Sequence, residues 1–157
     1  MTAHTQANWT DEDETAILNA IDKWVEGEVR PIAREHDQAD SYPHELVEQM
    51  KELGLFGAII SPNYGGLGLP ASTYAKIVLK VATAWMAPSG IFNSHLIMAS
   101  AIERTGTEEQ KAEWLPKMAT GELRGGIALT EPNAGTDLQA IRTKAEKTNE
   151  GYRLNGT

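Results

Sequence analysis

From Thr10 onward the apolar positions recur at helical spacing. Ile17, Ala20, Ile21, Trp24 and Val25 form one stripe, and Val29 and Ile32 extend it past Pro31, which forces a kink or a restart. Thr10 reads as the N-cap, with Asp11, Glu12 and Asp13 against the positive end of the helix dipole. Residues 1–9 read as a loose arm. Pro43 opens a second helix at its first turn and Gly54 closes it, with Leu46, Val47, Met50 and Leu53 facing inward. Leu55 to Ile60 is short and apolar and reads as extended. Ala71 to Trp85 is helical, with Tyr74, Ile77, Val78, Val81 and Trp85 on one face. A further helix begins at Pro88, runs to about Arg104 and is apolar on most sides, which predicts a central place in its domain. Thr107 and Gln110 form a capping box for a helix interrupted at Pro116, and Gly121 ends the following turn.

The pattern then changes. Gly125 to Thr130 reads as a strand, Ile141 to Lys147 alternates weakly, and the TNEG run at 148–151 signals a turn before GYRLNGT. The expected fold is mainly α: a helical domain over 1–122, then the first strands of a β domain over 123–157. So few short strands do not make a stable sheet, so the expectation is an N-terminal portion of a longer protein.

Composition narrows the function. The net charge is −8 over 157 residues and the basic residues are scattered, which argues against nucleic acid as a partner. There is no cysteine, so no disulfide, thiol nucleophile or thiolate metal site; no metal ligand set is expected. The polar, acidic start does not read as a signal peptide, and the longest mostly apolar run, Leu53 to Ile60, is too short to span a bilayer. A cytoplasmic protein without membrane insertion is expected.

Two glycine-containing segments invite a ligand. In SPNYGGLGLP, residues 61–70, the run from Gly66 to Ala71 fits GxGxxA, but no acidic residue follows at the distance where a ribose partner belongs; after Asn63 the first is Glu103. A packing turn is the better reading. GGIALTEPNAGTD, residues 125–137, is different. Ile127 and Leu129 alternate with Ala128 and Thr130, Pro132 stops further pairing, and Asn133 to Thr136 offer a tight turn with free N–H groups and a hydroxyl. Such a turn can cradle an anion. One arrangement uses all of it: an extended peptide set edge-on to a flat polar ring, with a phosphate held by the turn. A strand followed by a capped turn, with no ligand, uses it as well.

ALTEPNAGTD closely resembles the first signature of the acyl-CoA dehydrogenase family. LGLFGAIISPNYGGLGL at 53–69, GTEEQKAEWLPKMATGE at 106–122 and GYRLNGT at 151–157 follow in the family's order. The resemblance implies FAD as cofactor, α,β-dehydrogenation of an acyl-CoA thioester, electron transfer to an electron-transfer flavoprotein, and a homo-oligomer, dimer or tetramer. It implies that Ile127, Leu129 and Thr130 lie along the flavin and that Thr136, where the family usually has serine, touches the FAD pyrophosphate and lies near the substrate's CoA arm. It also makes Phe92, Asn93 and Leu96 candidates for the floor of the acyl pocket. The general base comes from a C-terminal helical domain that these residues do not include, so no catalytic residue is assigned here and 1–157 alone is expected to be inactive. Glu131 is read as facing solvent or packing as a structural acceptor, His95 as a satisfied core or pocket-edge histidine, and the tryptophans as core or interface residues. The alternative is a stand-alone helical protein-interaction module without catalysis. A weaker alternative is a family member that uses FAD for nitro or acyl-group oxidation.

Overall fold

In the computed structural model, which describes residues 9–157, Thr10 is the first cap. Its hydroxyl accepts from the Asp13 amide at 3.1 Å and the Asp13 carboxylate takes the Thr10 amide at 3.0 Å. Helix α1 (Asp11–Trp24) passes directly into a π turn (Val25–Val29) and then α2 (Arg30–Ala39). The irregularity thus precedes Pro31 instead of falling on it. A proline ring crowds the carbonyl four residues back, here Gly27, and the wider turn absorbs that conflict: the Arg30 amide bonds Val25, five residues back. Asp40, left-handed at φ 48°, ends α2. The expectation for residues 1–8 lies outside the described residues, but Trp9 is not loose: it is half-buried and its Nε1 donates to the Leu67 carbonyl at 3.1 Å.

Helix α3 (His44–Glu52) has Pro43 as its N-cap, one residue earlier than expected, and buries Leu46, Val47 and Met50. Gly54, at φ 70°, turns the chain out of it. The stretch 55–60 is not extended. Leu55–Gly57 is a 3-10 turn, and its backbone is satisfied by the loop that follows: Leu67 N–H donates to Gly57 O and Leu69 N–H to Ala58 O, each at 2.8 Å. The glycines of that loop serve packing. A Cβ on Gly66 would strike the Ile60 carbonyl, and Gly68 is left-handed at φ 59° with Pro62 at 2.7 Å from where its Cβ would stand.

Helices α4 (Ala71–Ala84) and α5 (Met86–Thr105) are separated by Trp85 alone, which is extended. Helix α5 packs against α4, α6 and the Leu55–Gly57 turn, burying Phe92, His95, Leu96, Ala99 and Ile102. It is not covered all round: Ile97 and Met86 stand open. Helix α6 (Glu108–Ala119) carries the expected capping box and runs through Pro116 without interruption. The carbonyl that loses its partner belongs to Ala112, an exposed residue. Gly121, at φ 75°, ends the turn after it.

The chain divides into two compact units, one up to Gly126 and one from Ile127 on. Residues 125–130 are not a strand; no ladder partner lies beside them among the described residues. A backbone bridge joins Glu131 and Ala134, and Asp137 caps a short 3-10 turn, Leu138–Ala140, accepting from the Gln139 amide at 3.1 Å. Strands β1 (Lys144–Thr148) and β2 (Gly151–Asn155) pair antiparallel, with Thr148 opposite Gly151 and Asn149-Glu150 as the turn. The TNEG signal is therefore a hairpin.

Candidate functional site

The segment 127–130 belongs to no helix or strand and is open to solvent. Ile127 and Leu129 are 42% and 47% exposed, and Thr130 is exposed too. An apolar, hydroxyl-bearing peptide left open in this way has no structural employment inside its own unit. The turn after it is tighter than expected. Glu131 N–H donates to Ala134 O at 2.8 Å and Ala134 N–H returns to Glu131 O at 3.1 Å. The Ala134 amide is therefore not free for an anion, and Ala134 itself is buried. Asn133, Gly135 and Thr136 are exposed beside it.

Glu131 does not point its carboxylate at a reaction site. Its Oε2 accepts from the Arg142 amide at 2.8 Å and its Oε1 from the Thr143 amide at 2.9 Å, so it is a structural acceptor. A hydrogen bond from the Thr143 side chain, then those amides, hold its carboxyl below the usual range.

The candidates on α5 separate. Phe92 and Leu96 are buried in the helical unit, with Phe92 edge-on to Tyr74 at 6.3 Å between ring centroids. Asn93 is exposed and its Oδ1 accepts from the Tyr74 hydroxyl at 2.7 Å. Burial pushes the Tyr74 phenol up to about 12, so it remains a donor at neutral pH. His95 is 1% exposed and fully engaged with backbone groups, the core histidine expected. Trp24 is buried, and Trp9, Trp85 and Trp114 pack partly buried against the core.

A pocket of about 290 Å³ opens between the end of α2 and the start of α5, lined by His36, Asp40, Tyr42, Trp85 and Ile91 among others. The His36 ring lies tilted at 36° to that of Trp85 with centroids 5.7 Å apart, and its Nδ1 meets Ser41 Oγ at 2.8 Å. The run EHDQADSYPH held the polar half of this signal; Trp85 arrives only through the fold. Among the described residues no group of three or more His, Cys, Asp or Glu could hold a metal ion, and no helix is long and apolar enough to cross a membrane.

Along the chain a helical unit is thus followed by the TEPNAGTD segment, open except at Glu131 and Ala134, and then by a hairpin. The model of the acyl-CoA dehydrogenase N-terminal domain matches residues 11–122, and the chain belongs to the acyl-CoA dehydrogenase family. It is 37% identical to the short-chain-specific acyl-CoA dehydrogenase of Clostridium acetobutylicum, covering 96% of this chain and 40% of that one. It is 40% identical to the NADH-dependent acryloyl-CoA reductase of Anaerotignum propionicum, over 86% and 35%. The structure of a glutaryl-CoA dehydrogenase from Mycobacterium smegmatis in complex with FADH2 superposes with a TM-score of 0.84 at 28% identity, over 94% of this chain and 38% of that one. The chain thus spans about two fifths of the length of the curated relatives it matches.

Proposed function

We propose that residues 1–122 form the helical domain, and 123–157 the opening of the β domain, of an FAD-dependent enzyme that desaturates an acyl-CoA thioester and passes the electrons to an electron-transfer flavoprotein. The observation that carries this reading is the open ribbon Ile127–Thr130 within the family signature. The residues fit the cofactor. Ile127 and Leu129 offer apolar surface to a flat ring, Thr130 a hydroxyl for its polar edge, and Thr136 a hydroxyl for the pyrophosphate and the neighbouring CoA arm. The chemistry supplied by bound FAD is acceptance of the hydride from the β-carbon. The chain's own task is alignment and exclusion of water. The base that removes the α-proton must stand within hydrogen-bond reach of it; Glu131 is committed to Arg142 and Thr143, and no carboxylate of this chain is assigned that role.

Phe92 and Leu96 support the acyl pocket from within the helical core, with Asn93 and Tyr74 at its polar margin. The substrate is a soluble acyl-CoA, the compartment the cytoplasm and the assembly a dimer or tetramer. Residues 1–157 alone are expected to show no turnover. The test is flavin retention by the chain extended to the length of its relatives. Thr130→Val and Thr136→Val should each weaken FAD binding about three- to tenfold, the worth of one hydrogen bond. Unchanged affinity in both variants would overturn the placement.

The stand-alone interaction module is the second reading. Leu79, Met86 and Ile97 of the helical unit, 65%, 73% and 49% exposed, favour it, because exposed apolar side chains are available to a partner. A yellow extended protein supports the first reading; a colourless one that stays monomeric supports the second.

A further inference from the structure

His95 is buried in α5, yet both of its ring nitrogens are engaged. Nε2 lies 3.1 Å from the Phe56 carbonyl and 3.0 Å from the Met118 carbonyl. Both partners only accept, so Nε2 must carry the proton. On the other side of the ring the Gly125 amide donates to Nδ1 at 3.4 Å, which requires that nitrogen to be bare. The contacts define one state, the neutral Nε2–H tautomer.

That ring is part of a seam along the last residues of the helical unit. Leu123 N–H donates to Lys117 O at 3.1 Å, Arg124 Nη1 donates to the Tyr42 hydroxyl at 2.8 Å, and Gly125 follows on His95. Gly125 is also wedged in: a Cβ there would lie 3.0 Å from Met98 Cγ. Two residues further on, the open segment begins. We propose that His95 is a positioning residue: in its neutral Nε2–H form it fixes the peptide from which the 127–137 segment departs, and protonation of Nδ1 releases it. A protonated Nδ1 would turn a donor toward the Gly125 donor, so the contact becomes repulsive while the Nε2 side is kept. The consequence for the cofactor rests on the reading of 127–136 given above.

The surroundings favour the neutral form. Desolvation holds the imidazole below its ordinary range, opposed by the Met118 and Phe56 carbonyls, and the nearby Arg124 charge adds to the lowering. Arg124 is the charged side chain acting on the ring; the Leu55–Gly57 turn and α6 face it with carbonyls, and Phe56 adds an edge-on ring at 5.2 Å. A folded histidine with a lowered pKa stabilises the fold above its unfolded value, about 6.5, and that contribution falls away as pH drops through the folded value.

The experiment is NMR on residues 1–157. Ring ¹⁵N shifts of His95 should report a protonated Nε2 and a bare Nδ1 at neutral pH. The Gly125 amide protection factor, corrected for intrinsic exchange, should fall about tenfold as His95 titrates, the loss of one hydrogen bond. In His95→Asn, whose Oδ1 can replace Nδ1 as acceptor, protection should persist and lose its pH dependence; in His95→Gln, which replaces Nε2 instead, it should be low at every pH. A protonated Nδ1 at neutral pH, or Gly125 protection that does not follow the His95 titration, would overturn the proposal. Should neither variant fold, those two measurements on the unmodified chain still decide it. Flavin retention plays no part in them, so failure here and failure of the FAD reading are separately visible.

Discussion

Phe56 and Leu129 are both large apolar side chains in short segments between regular elements, yet Phe56 is 0% exposed and Leu129 47%. The segment around Phe56 is closed over by the 66–69 loop, α5 and α6, and its backbone bonds are made within the unit. Around Leu129 nothing of the kind exists in its own unit, where Ala134 is the buried hydrophobic residue and Tyr152 and Leu154 are 70% and 73% exposed. The helical unit has a core that explains its sequence. The unit from Ile127 on is built from local devices, a bridge, a capped turn and a hairpin, and keeps its apolar residues outside. Exposed apolar side chains offer a contact surface, and that asymmetry is the physical argument behind the proposal that a cofactor lies along 127–130.

The comparison breaks if deletion at the two positions costs the same. Phe56→Ala should destabilise the helical unit by about 3–5 kcal/mol, read as a lowered midpoint in thermal melts followed by far-UV circular dichroism. Leu129→Ala should stay within about 0.5 kcal/mol. An equal loss at Leu129 would mean that 127–130 is packed in solution.

Glycines sharpen the same contrast at smaller amplitude. Gly66→Ala drives a methyl into the Ile60 carbonyl and has no side chain that can yield; a loss of about 1–3 kcal/mol is expected in urea denaturation. Gly126→Ala and Gly135→Ala meet nothing within 4 Å and neither sits at positive φ; they should leave the midpoint unchanged or raise it slightly, because alanine restricts the unfolded chain.

Much of the helical unit was legible because its signals are local. Thr10 and Thr107 act as caps within one turn, and the Leu46, Val47 and Met50 stripe needs only the 3.6-residue period. The errors fell where distant chain decided. Leu55–Ile60 looks like a strand until the 66–69 loop supplies its hydrogen bonds. Pro116 looks like a stop, yet the carbonyl it orphans belongs to Ala112, a residue exposed on the surface. The candidate segment 125–137 announced itself by composition, but its strand-like alternation had no partner to pair with. Glu131 and His95 were read as structural from general tendencies; the backbone groups they bind, across eleven residues in one case and thirty-nine in the other, could not be named before the fold.

The most local effect expected is at Glu131, and it tests the second unit alone. Its carboxylate ties the turn at 131–134 to Arg142 and Thr143, just before β1. Because its pKa is lowered in the fold, the contribution is complete above the unfolded value, about 4.3, and is lost as pH falls through the folded one. Glu131→Gln keeps one acceptor oxygen and removes the charge. Amide exchange at Arg142 and Thr143 should quicken in the variant at pH 7, and should lack the acid-range rise expected of the unmodified chain once intrinsic rates are divided out. Exchange at Leu115 and Met118, buried in the helical unit, should not respond. A global loss of protection in Glu131→Gln would show the two units unfolding together, and the contrast drawn from Phe56 and Leu129 would then describe packing but not cooperativity.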